Sequence, residues 1–180
     1  YYPVSSTQRR IYVLEQFDNA GTSYNISGAI RIEGRLCSKK LESTFRRLIE
    51  RHEALRTSFE IIEEEIVQVV HSEFDFDVEM MISEEEQVQG AIEAFVRPFE
   101  LHRAPLIRVG LISLAATKHI IVVDIHHIVA DGVSLSILIG EFAKLYSDME
   151  LEEVKIQYRD YTIWHNELLD SAVLRKQEEY

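Results

Sequence analysis

Side chains capable of acid–base chemistry cluster in residues 124–134, which read Asp-Ile-His-His-Ile-Val-Ala-Asp-Gly-Val-Ser. Imidazole titrates near neutral pH and is the usual proton acceptor there, so His126 and His127 are candidates for proton transfer. Asp131 and Gly132 follow, and this pair is typical of a loop held by a carboxylate next to a permissive backbone position. Adjacent histidines near an aspartate also occur in structural sites. The residue types alone therefore leave a catalytic and a structural role open.

The segments on either side predict how this cluster is positioned. Residues 119–125 form an apolar run and residues 133–146 are amphipathic, which predicts a strand, a tight loop and a helix. Successive side chains of a strand point to opposite faces, so one of His126 and His127 is expected to pack while the other faces a cavity. No Cys or further His lies at ligand spacing around the pair, so no metal site is predicted. Ser134 is predicted to be the helix N-cap or a channel residue.

Periodicity predicts the remaining elements of one α/β unit spanning residues 1–180. Helices are predicted over residues 7–17, 39–52, 84–96 and 158–169. The first would be capped by Ser5 or Ser6, the second by Ser38, and the third would start with a capping box at residues 83–86. Strands are predicted over residues 24–33, 55–63, 66–71, 106–114 and 118–125, with an extended segment at 74–82 and a loop at 18–23. The strands at 106–114 and 118–125 are almost continuously apolar, which predicts a hairpin buried on both faces. Residues 171–180 are highly charged and carry no stop signal, as expected if the natural chain continues.

Composition narrows the class of protein. The 180 residues are 46% hydrophobic and 28% charged, as in an ordinary globular domain with one core. The net charge of -12 disfavours nonspecific nucleic-acid binding, because phosphate contacts need clustered Lys and Arg. No apolar stretch has the length of a membrane span, and no signal peptide opens the chain. The single cysteine, Cys37, cannot form an internal disulfide. These features predict a cytoplasmic protein without membrane or nucleic-acid partners.

Four segments carry a resemblance to a known family. Residues 126–132, His-His-Ile-Val-Ala-Asp-Gly, resemble the HHxxxDG motif of condensation domains of non-ribosomal peptide synthetases. Residues 51–59 match that family's RHExLRTxF motif at every fixed position. Residues 5–14 resemble its opening SxAQxRLWxL motif, and residues 158–164 resemble YxDYAVW. The departures are Thr7 for Ala, Ile11 for Leu, Tyr12 in the aromatic position, and Thr162 and Ile163 for Ala and Val. The segments follow the family's order over nearly the whole chain, whereas its later motifs are absent.

The resemblance implies a fold, an activity and a set of partners. The fold would be the N-terminal subdomain of a chloramphenicol acetyltransferase-like two-layer sandwich, with a mostly antiparallel or mixed sheet and flanking helices. The activity would be amide-bond formation between a carrier-bound aminoacyl or peptidyl thioester and a carrier-bound aminoacyl acceptor. Donor and acceptor peptidyl-carrier proteins would present their substrates on phosphopantetheine arms, with no cofactor bound directly. The C-terminal subdomain and an adjacent adenylation domain would be the other partners.

The resemblance also implies roles for individual residues. His127 would face the reaction channel, position the acceptor amine and take its proton or only orient it. His126 would support the site, and Asp131 would pair with an arginine, for which Arg56 is the candidate because it opens a strand inside the second motif. Gly132 either lets the backbone approach the substrate, with its N–H meeting the oxyanion, or is a simple turn glycine. Candidates for the channel wall are Ser134, Tyr158 and Trp164.

Several alternatives remain open. An epimerisation domain would carry the same motif and exchange a proton at an α-carbon, and a catalytically silent relative would recruit a partner enzyme. The arginines at positions 9, 10, 46 and 47 are compatible with a solvated helix surface or with docking of an acidic carrier protein. Because the family's channel runs between two subdomains, this chain by itself is expected to expose an apolar face and to be inactive.

Overall fold

The computed structural model describes residues 1–17 and 21–170, and within them the chain folds into two sheets with flanking helices. The helices are α1 (Ser6–Phe17), α2 (Ser38–Arg51), α3 (Val88–Phe95), α4 (Gly132–Tyr146) and α5 (Tyr158–Asp170). The strands are β1 (Tyr2–Pro3), β2 (Asn25–Glu33), β3 (Thr57–Ile62), β4 (Glu65–Val70), β5 (Glu79–Ile82), β6 (Ile107–Ala115) and β7 (Lys118–His126). Short 3-10 turns, Glu53–Arg56 and Glu85–Gln87, precede β3 and α3.

The larger sheet has the strand order β2-β7-β6-β5 and positions the histidine pair at the end of β7. β7 pairs antiparallel with both β2 and β6, whereas β5 pairs parallel with β6, so the sheet is mixed. The smaller antiparallel sheet has the order β1-β4-β3. The predicted mixed sheet with flanking helices is confirmed.

Both faces of the β6–β7 hairpin are buried, as its apolar sequence predicts. Alternate residues such as Val109 and Ile121 pack toward α2 and α4. The residues between them, such as Ile112 and Val122, pack on Phe95 of α3. His126 belongs to this second set by strand alternation, which determines the side of the sheet on which its ring lies.

Helix α1 begins with a reciprocal capping box. The Ser5 backbone N–H donates to Gln8 Oε1 over 2.9 Å, and the Gln8 N–H donates to Ser5 Oγ over 3.2 Å. These bonds satisfy N–H groups that the first helical turn leaves unpaired. The helix then packs Ile11 and Tyr12 into a core cluster with Phe59. Of the two predicted caps, Ser5 and Ser6, it is Ser5 that caps α1.

Helix α4 leads away from the histidine turn and is attached to α2 by a half-buried carboxylate. Glu141 accepts hydrogen bonds from Arg51 Nε, which lies 3.2 Å from both carboxylate oxygens. His52 Nε2 lies 2.5 Å from Glu141 Oε2. Arg51 and His52 of the second motif thus attach α4, the helix that follows the histidines, to the end of α2.

Two predicted helix caps are wrong. Ser38 is the first residue of α2, and Cys37 occupies the cap position without a side-chain hydrogen bond. Residues 83–86 form no capping box, because the Ser83 hydroxyl donates to the Glu84 carbonyl over 3.1 Å and Glu84 holds the cap position of a 3-10 turn without a side-chain bond. In the predicted loop at 18–23, residues 18–20 lie outside the described residues, as does the charged segment 171–180.

Candidate active site

The two adjacent histidines lie in opposite environments. His126 is the last residue of β7 and has no exposed surface, whereas His127 is exposed. The backbone N–H of His127 donates to the Tyr24 carbonyl over 2.8 Å, and that of Val129 donates to the His126 carbonyl over 3.1 Å. The imidazole of His127 makes no hydrogen bond to another described residue. His126 is the packed ring of the predicted division. His127 is exposed and is not part of the wall of the cavities described below, so a cavity facing its ring stays a prediction.

Both ring nitrogens of His126 are engaged. The Ile128 backbone N–H donates to His126 Nδ1 over 3.2 Å, so Nδ1 carries no proton. His126 Nε2 lies 3.3 Å from Glu15 Oε2 and donates to that carboxylate. The ring lies 5.9 Å from the Phe99 ring, which meets it edge-on, and 6.3 Å from the Tyr24 ring. The side chain thus joins α1 to the turn that carries His127.

The environment keeps His126 neutral. Burial, reinforced by repulsion from His127 and Arg108, lowers the pKa of His126 from 6.5 to about 4. Burial also raises the pKa of Glu15. A ring that is neutral at pH 7 and has both nitrogens occupied is suited to holding the turn, not to exchanging protons with a substrate.

The predicted ion pair between Arg56 and Asp131 is wrong. Asp131 is exposed and is the N-cap of α4: its Oδ1 accepts from the Ser134 backbone N–H over 2.8 Å and from Ser134 Oγ over 2.7 Å. These hydrogen bonds lower the pKa of Asp131. Arg56 instead donates from Nη1 to the His71 carbonyl over 2.5 Å and lies 3.6 Å from Glu53. The short Asp131 side chain reaches the unpaired N–H groups of its own helix, which lie three residues away.

The prediction that Ser134 is the N-cap is therefore wrong as well, since Asp131 holds that position and the Ser134 hydroxyl donates to it. Gly132 is the first residue of α4, and its φ is not in the left-handed region. A Cβ built at Gly132 would meet no described atom within 4 Å. Packing within the described residues thus gives no reason for glycine here, and an approach by substrate stays a prediction.

A cavity of about 160 Å³ lies beside the start of α4. Two of the predicted channel residues, Ser134 and Tyr158, line it together with Val129 and Ala130 from the turn. Trp164 is not part of its wall: it is 57% exposed on α5, and its ring lies 6.0 Å from that of Tyr161. The structure therefore brings two of the three predicted channel residues to one opening and leaves the third on an outer surface.

A second cavity, of about 250 Å³, lies between the larger sheet and helices α2 and α4. Its wall is almost entirely apolar and includes Ile125, Leu135, Leu138 and Phe142. Ile125 of this wall precedes His127 by two residues in the chain. Apolar groups of a substrate could be accommodated there, whereas charged groups would be left without partners.

Sequence reasoning missed a buried ion pair two residues before the histidines. Asp124 has no exposed surface, and its Oδ2 lies 3.1 Å from Arg108 Nη1 across the hairpin. Asn25 Nδ2 donates to both Asp124 oxygens over 3.0 and 2.9 Å. Arg108 also donates to the carbonyls of Arg97 and Pro98 over 2.5 and 2.6 Å.

This pair connects to the histidine through an aromatic ring. The Arg108 guanidinium lies 3.6 Å from the centre of the Phe99 ring, whose edge meets His126. Burial is the largest influence on both charges: it raises the pKa of Asp124 and lowers that of Arg108. A signal was available in the sequence, because a charged residue in each of two apolar, antiparallel strands suggests a cross-strand pair.

Among the described residues, no three His, Cys, Asp or Glu side chains are arranged to hold a metal ion. Nor does any helix within residues 1–17 and 21–170 combine the length and apolar character that a membrane crossing needs.

Comparison with known proteins decides the family. The family model described as "Condensation domain" matches residues 1–180. The chain belongs to the condensation-domain family. The four motifs and the α/β sandwich are those of its N-terminal half, as the sequence predicts.

Among curated relatives of this condensation-domain chain are subunits of peptide synthetases. Gramicidin S synthase 2 of Brevibacillus brevis is 49% identical over 180 residues, which is all of this chain and 4% of that protein. Surfactin synthase subunit 2 of Bacillus subtilis (strain 168) is 46% identical over 180 residues, again all of this chain and 5% of that protein. The chain therefore spans only a small part of the length of these relatives.

Solved structures share the fold. The starter condensation domain of the rhizomide synthetase, as a double mutant, superposes with a TM-score of 0.87 at 20% identity, covering 99% of this chain and 46% of that one. The X-domain from teicoplanin biosynthesis, in complex with OxyB, superposes with a TM-score of 0.87 at 27% identity, covering 94% of this chain and 38% of that one.

Proposed function

We propose that this chain is the N-terminal part of a peptide-synthetase condensation domain that forms an amide bond between a carrier-bound aminoacyl or peptidyl thioester and a carrier-bound aminoacyl acceptor. The observation that carries the proposal is the placement of His127: an exposed imidazole at the end of a buried strand, in a turn fixed by a buried neighbour. The family and the synthetase relatives support the same reaction class.

The reaction needs one proton acceptor. The acceptor amine attacks the thioester carbonyl carbon, a C–N bond forms, and the carbonyl oxygen becomes an oxyanion. The C–S bond then breaks, the amide nitrogen loses a proton, and the phosphopantetheine thiolate leaves and is protonated. We assign to His127 the positioning of the amine and the acceptance of its proton, since an imidazole is suited to proton transfer at neutral pH.

The start of α4 is our candidate for stabilising the oxyanion. A helix N-terminus presents backbone N–H groups and a partial positive charge. Asp131 already accepts the Ser134 N–H, whereas Gly132 lies at the exposed first position with no side chain over it. The Gly132 N–H would donate to the developing charge in the transition state.

We place the phosphopantetheine arms in the opening beside α4, with Ser134 and Tyr158 on its wall. Trp164 lies on the outer surface of α5, so its contribution would be made at an interface with another part of the synthetase. The donor and acceptor peptidyl-carrier proteins and the adenylation domain would be the partners that deliver the substrates.

The C-terminal subdomain would complete the channel. The described surface exposes a set of large apolar side chains along α4 and α5: Val133, Ile137, Ile139, Tyr161, Trp164 and Leu168. An exposed apolar area of this kind is characteristic of a surface that another protein part covers. We therefore expect the 180-residue chain alone to bind carrier proteins weakly and to form no product.

Recruitment of a partner enzyme is the second candidate function. It is favoured by the likeness to the X-domain, which was solved in complex with OxyB. The intact motif at residues 126–132 and the exposed ring of His127 favour condensation instead, because a domain that only binds a partner needs no group for proton transfer.

The test uses the full-length protein that contains this chain, with donor and acceptor carrier proteins loaded with aminoacyl groups. Dipeptidyl product on the acceptor, measured by intact mass, is expected for the parent and is expected to be lost in His127→Ala. His102→Ala is the matched control, because His102 is an exposed histidine outside the site. Exchange of the α-proton without product would indicate epimerisation, and absence of both reactions would favour recruitment.

A further inference from the structure

Residue Glu15 of α1 contacts the site from a segment 111 residues away in sequence. Its carboxylate lies 3.3 Å from His126 Nε2, and its side chain is 12% exposed while that of His126 is fully buried. Glu15 does not coincide with a fixed position of the opening motif, which covers residues 5–14. Nothing in the proposed chemistry uses it.

The geometry around His126 demands one tautomer. The Ile128 N–H points at Nδ1 and can only donate, so Nδ1 must be bare and the proton of the neutral ring must be on Nε2. That Nε2–H is buried, and a buried donor without an acceptor is costly. Among the described residues, the Glu15 carboxylate is the group that accepts it.

We propose that Glu15 is a positioning residue: it holds His126 as the Nε2–H tautomer, and the bare Nδ1 then fixes the turn that presents His127. The effect on turnover rests on the proposed condensation activity, whereas the tautomer does not. Glu15 touches no reacting atom and acts only through His126.

Removing the carboxylate would undo this arrangement in a defined order. Without an acceptor at Nε2, the buried Nε2–H is left unpaired, and the ring relieves this cost only by turning the N–H toward another acceptor or by moving the proton to Nδ1. Either change breaks the bond between Nδ1 and the Ile128 N–H, and a proton on Nδ1 would also face that N–H and be repelled. The turn would open, and His127 would lose its position relative to the substrate.

The variants separate hydrogen bonding from size. Glu15→Gln retains an acceptor oxygen at the same reach, whereas Glu15→Met retains the length and removes the acceptor. Gln16→Met is the matched control, since it makes the same kind of change at the neighbouring exposed position of α1. All three are made in the full-length protein, and thermal melting confirms which of them fold.

The first measurement reads the tautomer. Nitrogen-15 NMR of histidine-labelled protein distinguishes a bare Nδ1 from a bare Nε2, and His126→Asn identifies the His126 signals. We expect a bare, hydrogen-bonded Nδ1 in the parent, in Glu15→Gln and in Gln16→Met, and loss of that state in Glu15→Met, either as a protonated Nδ1 or as a bare Nδ1 without its hydrogen bond. A protonated Nδ1 in the parent overturns the proposal even if Glu15→Met does not fold.

The second measurement reads turnover with loaded carrier proteins. In Glu15→Met we expect kcat to fall by up to about 100-fold, the loss that a misplacement of about 1 Å can cause, with KM for both carriers nearly unchanged. Glu15→Gln should keep kcat within about twofold of the parent value, a difference that corresponds to the free energy of one weak hydrogen bond. Equal kcat in Glu15→Met and the parent, or equal losses in Glu15→Met and Glu15→Gln, overturns the proposal. A parent without condensation activity instead refutes the proposed function, and the tautomer measurement then decides the role of Glu15.

Discussion

Arg108 and Asp124 face each other across the β6–β7 hairpin, with Arg108 Nη1 3.1 Å from Asp124 Oδ2 and no exposed surface on the Asp124 side chain. The strand that carries Asp124 ends two residues later at His126. The guanidinium of Arg108 lies over the ring of Phe99, and the same ring packs edge-on against the buried imidazole of His126.

Asp124→Ala should therefore lower the stability strongly. It leaves the mostly buried guanidinium of Arg108 without its counter-charge, and breaking a buried pair costs roughly 3 to 5 kcal/mol. The free energy of unfolding, measured by urea denaturation followed by circular dichroism, should fall by that amount. Arg31→Ala is the matched control, because Arg31 forms an exposed ion pair with Glu85. Equal effects of the two substitutions would contradict the assignment of Asp124 as the buried partner.

Substitution of Asp131 should have a smaller effect than a buried ion pair would predict. Asp131→Ala removes the N-cap of α4, which costs about 0.5 to 2 kcal/mol, whereas Asp131→Asn keeps a good cap and should unfold within about 0.5 kcal/mol of the parent. Denaturant midpoints of the two variants measure the difference. A loss well above the capping range in Asp131→Ala would mean that a charge partner of Asp131 exists in the full-length protein.

The element order and the orientation of the histidine pair are predictable from the sequence. Strand alternation is a local property, and the apolar runs on both sides of the hairpin turn leave little freedom in how β6 and β7 pair. Alternation also predicts that the two histidine rings separate, but it does not say which of them packs: the family resemblance assigns the outward role to His127, which lies just beyond the end of β7. Four motifs in order then identify the family.

The side-chain partners are less predictable. Arg56 and Asp131 both belong to motifs, yet Asp131 caps its own helix and Arg56 binds the His71 carbonyl. Pairing between distant segments depends on distances that sequence order does not contain. For the same reason, helical periodicity places Glu15 on α1 but does not indicate that it reaches His126.

Gly110 of β6 allows α3 to approach the sheet, so Gly110→Ala should be destabilising. A Cβ there would lie 2.7 Å from Met81 Cε and 2.8 Å from Phe95 Cε2, closer than atoms pack. Met81 can move its end, but Phe95 is 3% exposed, and overpacking of such a core costs about 1 to 3 kcal/mol. Gly140→Ala is the control: it meets no described atom within 4 Å and should stabilise α4 by about 0.5 to 1 kcal/mol. Equal melting temperatures for the two variants would argue against the close approach.

The pH dependence of stability should contain a contribution from His126. In the folded chain its pKa is about 4, whereas the ordinary value is 6.5. Between these values the unfolded chain binds a proton that the folded chain does not, so this contribution is complete above pH 6.5 and is lost as the pH falls toward 4. Glu15 and Asp124 act in the opposite direction, because burial raises their pKa and favours proton uptake by the folded chain.

A comparison with His126→Asn separates the histidine from these carboxylates. The Asn side chain can still accept the Ile128 N–H near the position of Nδ1, but it does not titrate. Between pH 7 and pH 4, the free energy of unfolding of the parent should fall by about 3 kcal/mol more than that of the variant, because the folded pKa of about 4 lies below the ordinary value of 6.5. Urea denaturation at a series of pH values measures both curves. Parallel curves would show that the buried ring takes up its proton as readily in the folded chain as in the unfolded one.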